Sequence, residues 1–317
     1  MEECDGAIYG KVCCKNVNMN LYILGNGFDM AHGLNTSYSA FEEYVKEYHK
    51  DWYQLLGTMY SMKDPSRLWK DYERNLCNVD ITGVTTNYNS RWIGMKKHEI
   101  ENFFDNIYDQ LQSLFHEWIL SVDMSNCSKK MNLSAHDYFI SFNYTNVLEK
   151  IYLIPREQIC YIHNDTKNQR LLRPIVGHGD SYKHIETRVM LYKNVIRKIV
   201  EKEGYPEWCE DENDYVGFLM KCFQQLIGSL KKLPNEIIKY NHYFFYQLSR
   251  LPIDKVYVLG HSLARVDEAY FKKLFEFKSI KKANWYVSYH SLKEWPKLYY
   301  CFIKLSGYTK LPQMMKM

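Results

Sequence analysis

The sequence predicts an α/β protein in which a mostly parallel sheet carries helices on both faces and large helical insertions. Three observations lead to this prediction. Short, nearly continuous apolar runs, such as residues 256–259, are typical of strands buried on both faces. Long segments with helical periodicity separate these runs, as in sheets whose parallel strands are joined by helices. Glycine and polar residues follow several runs directly, which indicates turns at the strand ends.

Six candidate strands follow one another along the chain. They cover residues 21–25, 137–142, 158–163, 173–177, 254–259 and 283–289. Two long helix-leaning blocks, at about 38–135 and 185–250, are interpreted as insertions that pack on the sheet. Inside the first block, the Gly/Thr/Asn-rich stretch at 82–94 is expected to be a loop.

Composition restricts the class of protein. The chain has 317 residues, 46% of them apolar and 16% aromatic, which is ample for a packed core. The net charge of +4 is too small to argue for nucleic-acid binding by itself. Residues 272–317 hold ten lysines against Glu276 and Glu294, which favours a solvated face over a surface for an anionic partner.

The cysteines and the hydropathy point to a reducing, cytoplasmic compartment. Nine scattered cysteines without a C-x-x-C pair do not resemble a disulfide framework. No signal peptide is visible, and no apolar stretch approaches the roughly 18 residues that span a bilayer, so we expect no membrane contact. Residues 1–18 are polar and non-periodic, and we expect a poorly structured extension before a single α/β domain over 19–317.

Glycines and polar side chains follow five of the candidate strands. These junctions are Gly25-Asn26-Gly27-Phe28-Asp29, Asn143-Tyr144-Thr145-Asn146, His163-Asn164-Asp165, Gly177-His178-Gly179-Asp180 and Gly260-His261-Ser262-Leu263. In a parallel sheet the carboxyl ends of the strands meet at one edge, and ligands bind beyond that edge. The five junctions are therefore expected to converge on one site.

Each junction has a functional and a structural interpretation. The first glycine turn suits a nucleotide phosphate, but Met30 replaces the third glycine of G-x-G-x-x-G, and the carboxylate of Asp29 would repel an anion unless it faced a ribose. Asn143 is either a turn-former or an amide that orients a ligand. His163 and His178 stand at strand ends, where an imidazole can act as a general base.

Several other classes of site are disfavoured. The segment around Ser262 is similar to the nucleophile turn of α/β-hydrolases, but His290 is the only histidine that follows it. The sequence has no P-loop, no H-E-x-x-H and no cluster with metal-ligand spacing, so we expect no metal cofactor.

Together these residues give the chain a resemblance to the bacterial AbiH family, named for abortive infection against bacteriophage. The matching pieces occur in family order over about residues 20–270. They are residues 23–29, His32-Gly33-Leu34, Thr36-Ser37-Tyr38, Leu68-Trp69 with Glu73, residues 142–145 with Leu148-Glu149, Gly177-His178-Gly179, and residues 259–263 with Asp267.

AbiH in turn is similar to the sirtuin-like NAD-binding proteins of bacterial antiphage defence, which implies a Rossmann-like (sirtuin-like) fold. Thr145 departs from that pattern because an aspartate follows Asn-Tyr there, and Asn164 departs because a glycine follows the histidine. The second departure leaves open whether His163 or His178 is the active histidine. The resemblance implies Asn143 and one of these histidines as catalytic residues. The residues implied to contact NAD are Gly25, Asn26, Gly27, Phe28, Asp29, Gly260, His261, Ser262 and Asp267.

The activity implied by this resemblance is hydrolysis of NAD at its nicotinamide glycosidic bond. The phosphates would lie over residues 25–28, Asn143 would hold the ribose hydroxyls or the attacking water, and the histidine would accept a ribose hydroxyl proton. The implied partners are NAD or a related nucleotide, a phage-derived trigger and further copies of the chain. Two alternatives stay open: a nucleotide-binding module without turnover, and an effector that targets nucleic acid.

Overall fold

In the computed structural model, six parallel strands form one open sheet. The structure describes residues 19–60, 68–69, 72–163, 175–179 and 182–317, so the predicted extension at 1–18 lies outside the described residues. In chain order the strands are β1 (Met19–Leu24), β2 (Tyr138–Ser141), β3 (Ile159–Tyr161), β4 (Ile253–Leu259), β5 (Asn284–Tyr289) and β6 (Gln313–Lys316). Their order in the sheet is β3-β2-β1-β4-β5-β6, which is the order of the Rossmann fold. The predicted α/β parallel architecture is confirmed.

Fifteen α-helices with assigned bounds lie in the described ranges. They are α1 (Asn26–Ala31), α2 (Tyr38–Tyr48), α3 (Lys50–Met59), α4 (Tyr72–Asn75), α5 (Ile81–Trp92), α6 (Lys97–Ser121), α7 (Val147–Lys150), α8 (Tyr182–Leu191), α9 (Lys193–Glu203), α10 (Glu212–Ser229), α11 (Pro234–Tyr240), α12 (His242–Arg250), α13 (Glu268–Phe275), α14 (Lys278–Lys282) and α15 (Trp295–Leu305). None of these helices combines the length and the apolar character needed to cross a bilayer.

Alternate residues of β1 face opposite sides of the sheet. Leu21 and Ile23 pack in a cluster with side chains of α11 to α15, whereas Tyr22 and Leu24 pack with residues of α1 and α7 on the other side. A row of stacked aromatic rings, which includes Tyr22, crosses strands β2, β1, β4 and β5 on this second face. The sheet thus has a core on each face.

A third hydrophobic cluster is purely helical apart from a few loop residues. It joins α2 to α6 with α8, α9 and α10, so most of the two inserted blocks share one core. Helices α11 and α12 belong to the second block by sequence, but their buried residues pack against the sheet. The helical cluster includes Tyr144, which lies three residues after the end of β2. The cluster therefore reaches the carboxyl edge of the sheet.

The secondary structure differs from the sequence-based expectation at three places, two of which are a missed helix and a missed strand. The stretch at 82–94 lies mostly in helix α5, because Asp80 caps its first turn and residues such as Ile81, Val84 and Trp92 bury one helical face; packing overrides the weak helix propensity of its Gly, Thr and Asn residues. Strand β6 was missed because its short QMMK segment is only partly buried at the sheet edge.

The predicted strand at 173–177 is wrong over its described residues, 175–177, which are not strand. The next residue, His178, forms an isolated bridge with Lys231. Its backbone N–H donates to Leu230 O, and its carbonyl accepts from Lys232 N–H. These hydrogen bonds join His178 to the chain after α10, whereas Ile175 N–H donates to His163 O just past β3, and residues 175–177 form no strand.

The order of the strands reverses between β1 and β4, and glycines allow the turns after these two strands to touch. Gly27 N–H donates to Gly260 O at 2.9 Å, and Gly260 has a φ of +61°. A Cβ atom on Gly260 would lie 2.1 Å from Phe28 N, and one on Gly27 would lie 2.7 Å from Gly260 Cα. Only glycine fits at these positions, so the two turns are locked together at the switch point.

The substitution Gly260→Ala should reduce the free energy of unfolding by more than roughly 3 kcal/mol, because the added Cβ meets backbone that cannot move aside. The matched control is Gly307→Ala, since Gly307 has the same φ of +61° and nothing within 4 Å of the added Cβ. The control should lose only about 1 kcal/mol, the cost of a left-handed conformation. Equal losses in denaturant titrations would show that close packing of the turns contributes nothing.

Candidate functional site

Helix α1 places Asp29 at the carboxyl end of β1, with 1% of its surface exposed. Its Oδ1 accepts a hydrogen bond from Asn143 Nδ2 at 2.8 Å, and its Oδ2 accepts one from Thr145 Oγ1 at 2.6 Å. Burial raises the pKa of Asp29 to about 7, although both hydrogen bonds oppose the shift. Asp29 can therefore exchange a proton near neutral pH.

The turn after β2 supplies both partners of Asp29. Because the side chain of Asn143 bonds to a residue 114 positions earlier, it is not a local turn-former. Its second polar atom, Oδ1, is buried and has no hydrogen-bond partner in the described part of the chain. Thr145 stands where the sirtuin-like pattern has an aspartate. Its hydroxyl donates to the carboxylate of Asp29, which lies on α1.

A buried chain of polar groups runs from His163 to Glu73. His163 follows β3, and its Nδ1 lies 3.2 Å from Phe142 O while its Nε2 lies 3.0 Å from Lys232 Nζ. Lys232 Nζ also lies 2.6 Å from Glu73 Oε1, and the lysine side chain is 1% exposed. Since the Lys232 ammonium donates to Nε2 of His163, the imidazole proton belongs on Nδ1. From there it donates to the carbonyl oxygen of Phe142.

The electrostatic surroundings keep His163 neutral. Burial, and then the charge of Lys232, lower the pKa of His163 well below its usual value. The ring of Tyr144 stacks on the imidazole with a centroid distance of 5.5 Å, and the Tyr144 hydroxyl lies 3.2 Å from Glu73 Oε1. A neutral imidazole has the lone pair that a general base needs, but here Lys232 Nζ occupies it.

A second buried pair joins His261 and Asp267, and the ring of Phe142 contacts both His261 and His163. Leu263 N–H donates to His261 Nδ1 at 2.9 Å, so the ring proton is on Nε2, which lies 3.4 Å from Asp267 Oδ2. Burial alone would raise the pKa of Asp267, but the hydrogen bond from His261 and the nearby charge of Lys232 outweigh it and lower the pKa. Asp267 therefore contributes a buried negative charge to the site.

Two predicted residues do not join this group. His178 is buried with its Nε2 2.8 Å from Ile227 O, so its ring is bound to the end of α10. Ser262 is exposed on the turn after β4. Of the two histidines left open by the sequence, His163 is the one whose ring contacts Lys232 in the polar chain that ends at Glu73.

Three amides of the glycine turn already donate to carbonyls of the protein in this conformation. Gly25 N–H donates to Leu259 O at 3.0 Å, Gly27 N–H donates to Gly260 O, and Phe28 N–H donates to Gly25 O at 2.8 Å. The side chain of Asn26 donates to Thr36 O at 2.7 Å, and Phe28 is buried in the core beside α1. Here the glycines serve backbone packing.

The described residues enclose a cavity of about 20 Å³ beside Asp29, enough for about one water molecule. Its walls include Tyr38 of α2 and Phe115 and Trp118 of α6. Trp118 also lines an open groove of about 390 Å³ whose other residues include Glu43 and Tyr44 of α2. The helical cluster therefore closes the site, and Trp118 contributes to both cavity and groove.

Sequence reasoning assigned no role in the site to Lys232, Glu73, Tyr38 or Thr36. Glu73 and the segment containing Thr36 and Tyr38 matched the family pattern, which was the only available signal. Lys232 looks like any other lysine of this lysine-rich chain, and only the fold shows that it is buried. Within the described ranges, no group of three or more His, Cys, Asp or Glu side chains is arranged to hold a metal ion.

Relative to the variant Asp29→Asn, the wild-type protein should lose roughly 4 kcal/mol of stability between about pH 4 and about pH 8. The pKa of Asp29 is about 7 in the folded protein and 3.8 in its ordinary state. Across this window the folded protein holds a proton that the unfolded chain has released, so a rising pH favours unfolding. Denaturant titrations of both proteins across this pH range measure the difference.

The matched control for this measurement is Asp123→Asn. Hydrogen bonds from the backbone and then the hydroxyl of Ser125 lower the pKa of exposed Asp123, so its contribution has the opposite sign and is lost as the pH falls. Identical pH dependence of wild type and Asp29→Asn would contradict the raised pKa.

The substitution Lys232→Met should reduce the free energy of unfolding by roughly 3 kcal/mol, because it leaves the Glu73 carboxylate without its buried cation. The control is Lys231→Met. The Lys231 ammonium lies over the ring of Tyr182 at 3.9 Å, a cation–π contact worth about 1 kcal/mol. A smaller loss for Lys232→Met than for Lys231→Met, measured by urea unfolding, would show that the buried ion pair is not needed for folding.

Comparison with known proteins gives one result. The family model described as "Bacteriophage abortive infection AbiH" matches residues 21–289, a range that contains every site residue described above. No curated protein matches the chain, and no solved structure matches it, so the similarity to sirtuin-like proteins stays a prediction from the sequence. The match covers most of the chain and supports a role in abortive infection against bacteriophage. The chain belongs to the AbiH family.

Proposed function

We propose that this protein is an abortive-infection effector that binds NAD at the carboxyl edge of its sheet and hydrolyses the bond between nicotinamide and ribose. The observation that carries the proposal is the grouping of Asp29, Asn143 and His163 beyond the ends of β1, β2 and β3. This edge adjoins the point where the strand order reverses, which is where sheets of this topology bind nucleotides.

Each of these side chains has chemistry that suits the reaction. His163 is neutral and, once Lys232 turns away from its Nε2, accepts a proton from a ribose hydroxyl as positive charge develops on the sugar. Asn143 offers a carbonyl oxygen to a ribose hydroxyl or to water. Asp29 and Asp267 place negative charge near the developing cation, which is the largest kind of stabilisation an enzyme site provides.

The reaction requires the site to open. A cavity of about 20 Å³ cannot admit a dinucleotide, whereas the groove beyond Trp118 has about 390 Å³, within the range of ligand pockets. Displacement of α6 at Trp118 would join the two spaces. A closed resting state suits an effector of abortive infection, because uncontrolled NAD loss would harm an uninfected cell, and it assigns the opening to a phage-derived trigger.

A second candidate function is nucleotide binding without turnover. The contact between Lys232 Nζ and His163 Nε2 favours it, since a general base whose lone pair is occupied cannot accept a proton. In that case a bound nucleotide would act as a signal, and toxicity would arise from another activity.

Both His163→Ala and Asn143→Ala should reduce nicotinamide release from NAD by about 10²–10⁴-fold while the proteins remain folded. The measurement is chromatography of nicotinamide, with purified protein and with extracts of phage-infected cells that supply the trigger. The control is His136→Ala, because His136 is an exposed histidine outside the site, and it should release nicotinamide at the wild-type rate.

The outcomes separate the two functions. Wild-type rates in His163→Ala would remove the proposed hydrolysis site. Binding of NAD in calorimetry, with no nicotinamide release before or after infection, would support the non-hydrolysing module. A protein that neither binds nor cleaves NAD would rule out both.

A further inference from the structure

The cavity beside Asp29 has the features of a built water site. Its volume of about 20 Å³ suits one water molecule. Phe115, Trp118 and Phe142 form apolar parts of the wall, and Thr36 and Asn143 form polar parts. The site is therefore small and lined by both polar and apolar side chains, an environment that can hold a single ordered water.

Two polar atoms of the lining residues have no protein partner among the described residues. Thr36 Oγ1 and Asn143 Oδ1 are both buried and unpartnered, and each residue is 4% exposed. The orientation of the Asn143 amide is set by its Nδ2, which donates to Asp29, so the remaining atom is an acceptor. Leaving such groups unpaired is unfavourable, and a water in the cavity that both residues line would give them a partner.

Asp29 is the group best placed to take a proton from that water. Each of its carboxylate oxygens accepts one hydrogen bond, and a carboxylate oxygen has room for two. In contrast, Lys232 already occupies the lone pair of His163. From this arrangement we infer that Thr36 and Asn143 hold the water that attacks NAD, and that Asp29 is its general base.

The inference rests on the proposed NAD hydrolysis and assigns its nucleophile. The water oxygen forms a bond to C1′ of the nicotinamide ribose while the bond from C1′ to the ring nitrogen breaks. The electron pair of that bond goes to the pyridinium ring, which leaves as neutral nicotinamide. One water proton passes to the Asp29 carboxylate and then to solvent, so NAD⁺ and water give ADP-ribose, nicotinamide and one proton.

The groups around Asp29 determine the pH dependence of this step. Tyr38 lines the cavity from α2, Cys127 interacts electrostatically with Asp29, and His32 directly follows α1 with its Nδ1 2.7 Å from Phe28 O. Burial raises the pKa of both Tyr38 and Cys127, so both remain neutral at neutral pH. Asp29, with a pKa of about 7, is the group that titrates there.

The test compares nicotinamide release across pH for wild type, Asp29→Asn, Thr36→Val and Thr36→Ser. The wild-type kcat should rise about tenfold per pH unit below the pKa of Asp29 and level off above it. Asp29→Asn should lower kcat by about 10²–10⁴-fold and remove this rise. Thr36→Val should lower kcat by about tenfold, and Thr36→Ser, which keeps the hydroxyl, should restore it.

A crystal structure of the wild-type protein at high resolution tests the water site without reference to activity. Water density within hydrogen-bonding distance of Asn143 Oδ1 and Thr36 Oγ1 supports the site, and an empty cavity overturns it. If wild type releases nicotinamide and Asp29→Asn matches its kcat and pH profile, the role of Asp29 fails alone. If wild type with bound water releases none even after infection, the proposed hydrolysis fails and the general-base role fails with it.

Discussion

The backbone contact between the turns after β1 and β4 is the constraint on which the site depends. Gly27 and Gly260 approach so closely that neither can carry a Cβ atom, and their hydrogen bond joins the two central strands at their carboxyl ends. Helix α1 starts from this contact, so the contact also places Asp29 opposite the turn after β2. Moving either turn would displace the carboxylate from Asn143 and Thr145.

A buried ionic chain then ties the helical cluster to this edge. Glu73 comes from α4, Lys232 from the segment after α10, and His163 from the end of β3. Buried ion pairs of this kind are often no more stabilising than apolar side chains of similar size, so stability alone does not explain a lysine here. The same helical layer closes the cavity over Asp29, so under the proposed function opening of the site and activation would be one event.

Much of the fold was predictable because it depends on local patterns. Continuous apolar runs identified five of the six strands, since strands buried on both faces leave that pattern. Helix α5 and strand β6 were not predictable, because long-range packing gives each its structure: Ile81 and Trp92 bury a helical face in a Gly/Thr/Asn-rich segment, and β6 exists through pairing with β5. The segment at 175–177 was mispredicted because it continues no strand ladder: Ile175 N–H donates to His163 O, and the next residue, His178, bonds to the chain after α10.

The sequence by itself determined the class of fold, the edge of the sheet that carries the candidate site, and the family. It could do so because glycines and polar residues at strand ends are local features, and parallel strands bring their ends together. Only the tertiary structure decided that the amides of Gly25 and Gly27 donate to the turn after β4 and its strand, that Asp29 is paired with Asn143, and that the Lys232 ammonium contacts Nε2 of His163. Those facts depend on contacts between residues more than 60 positions apart, and on burial, which changes the pKa of a side chain without leaving any mark in the sequence.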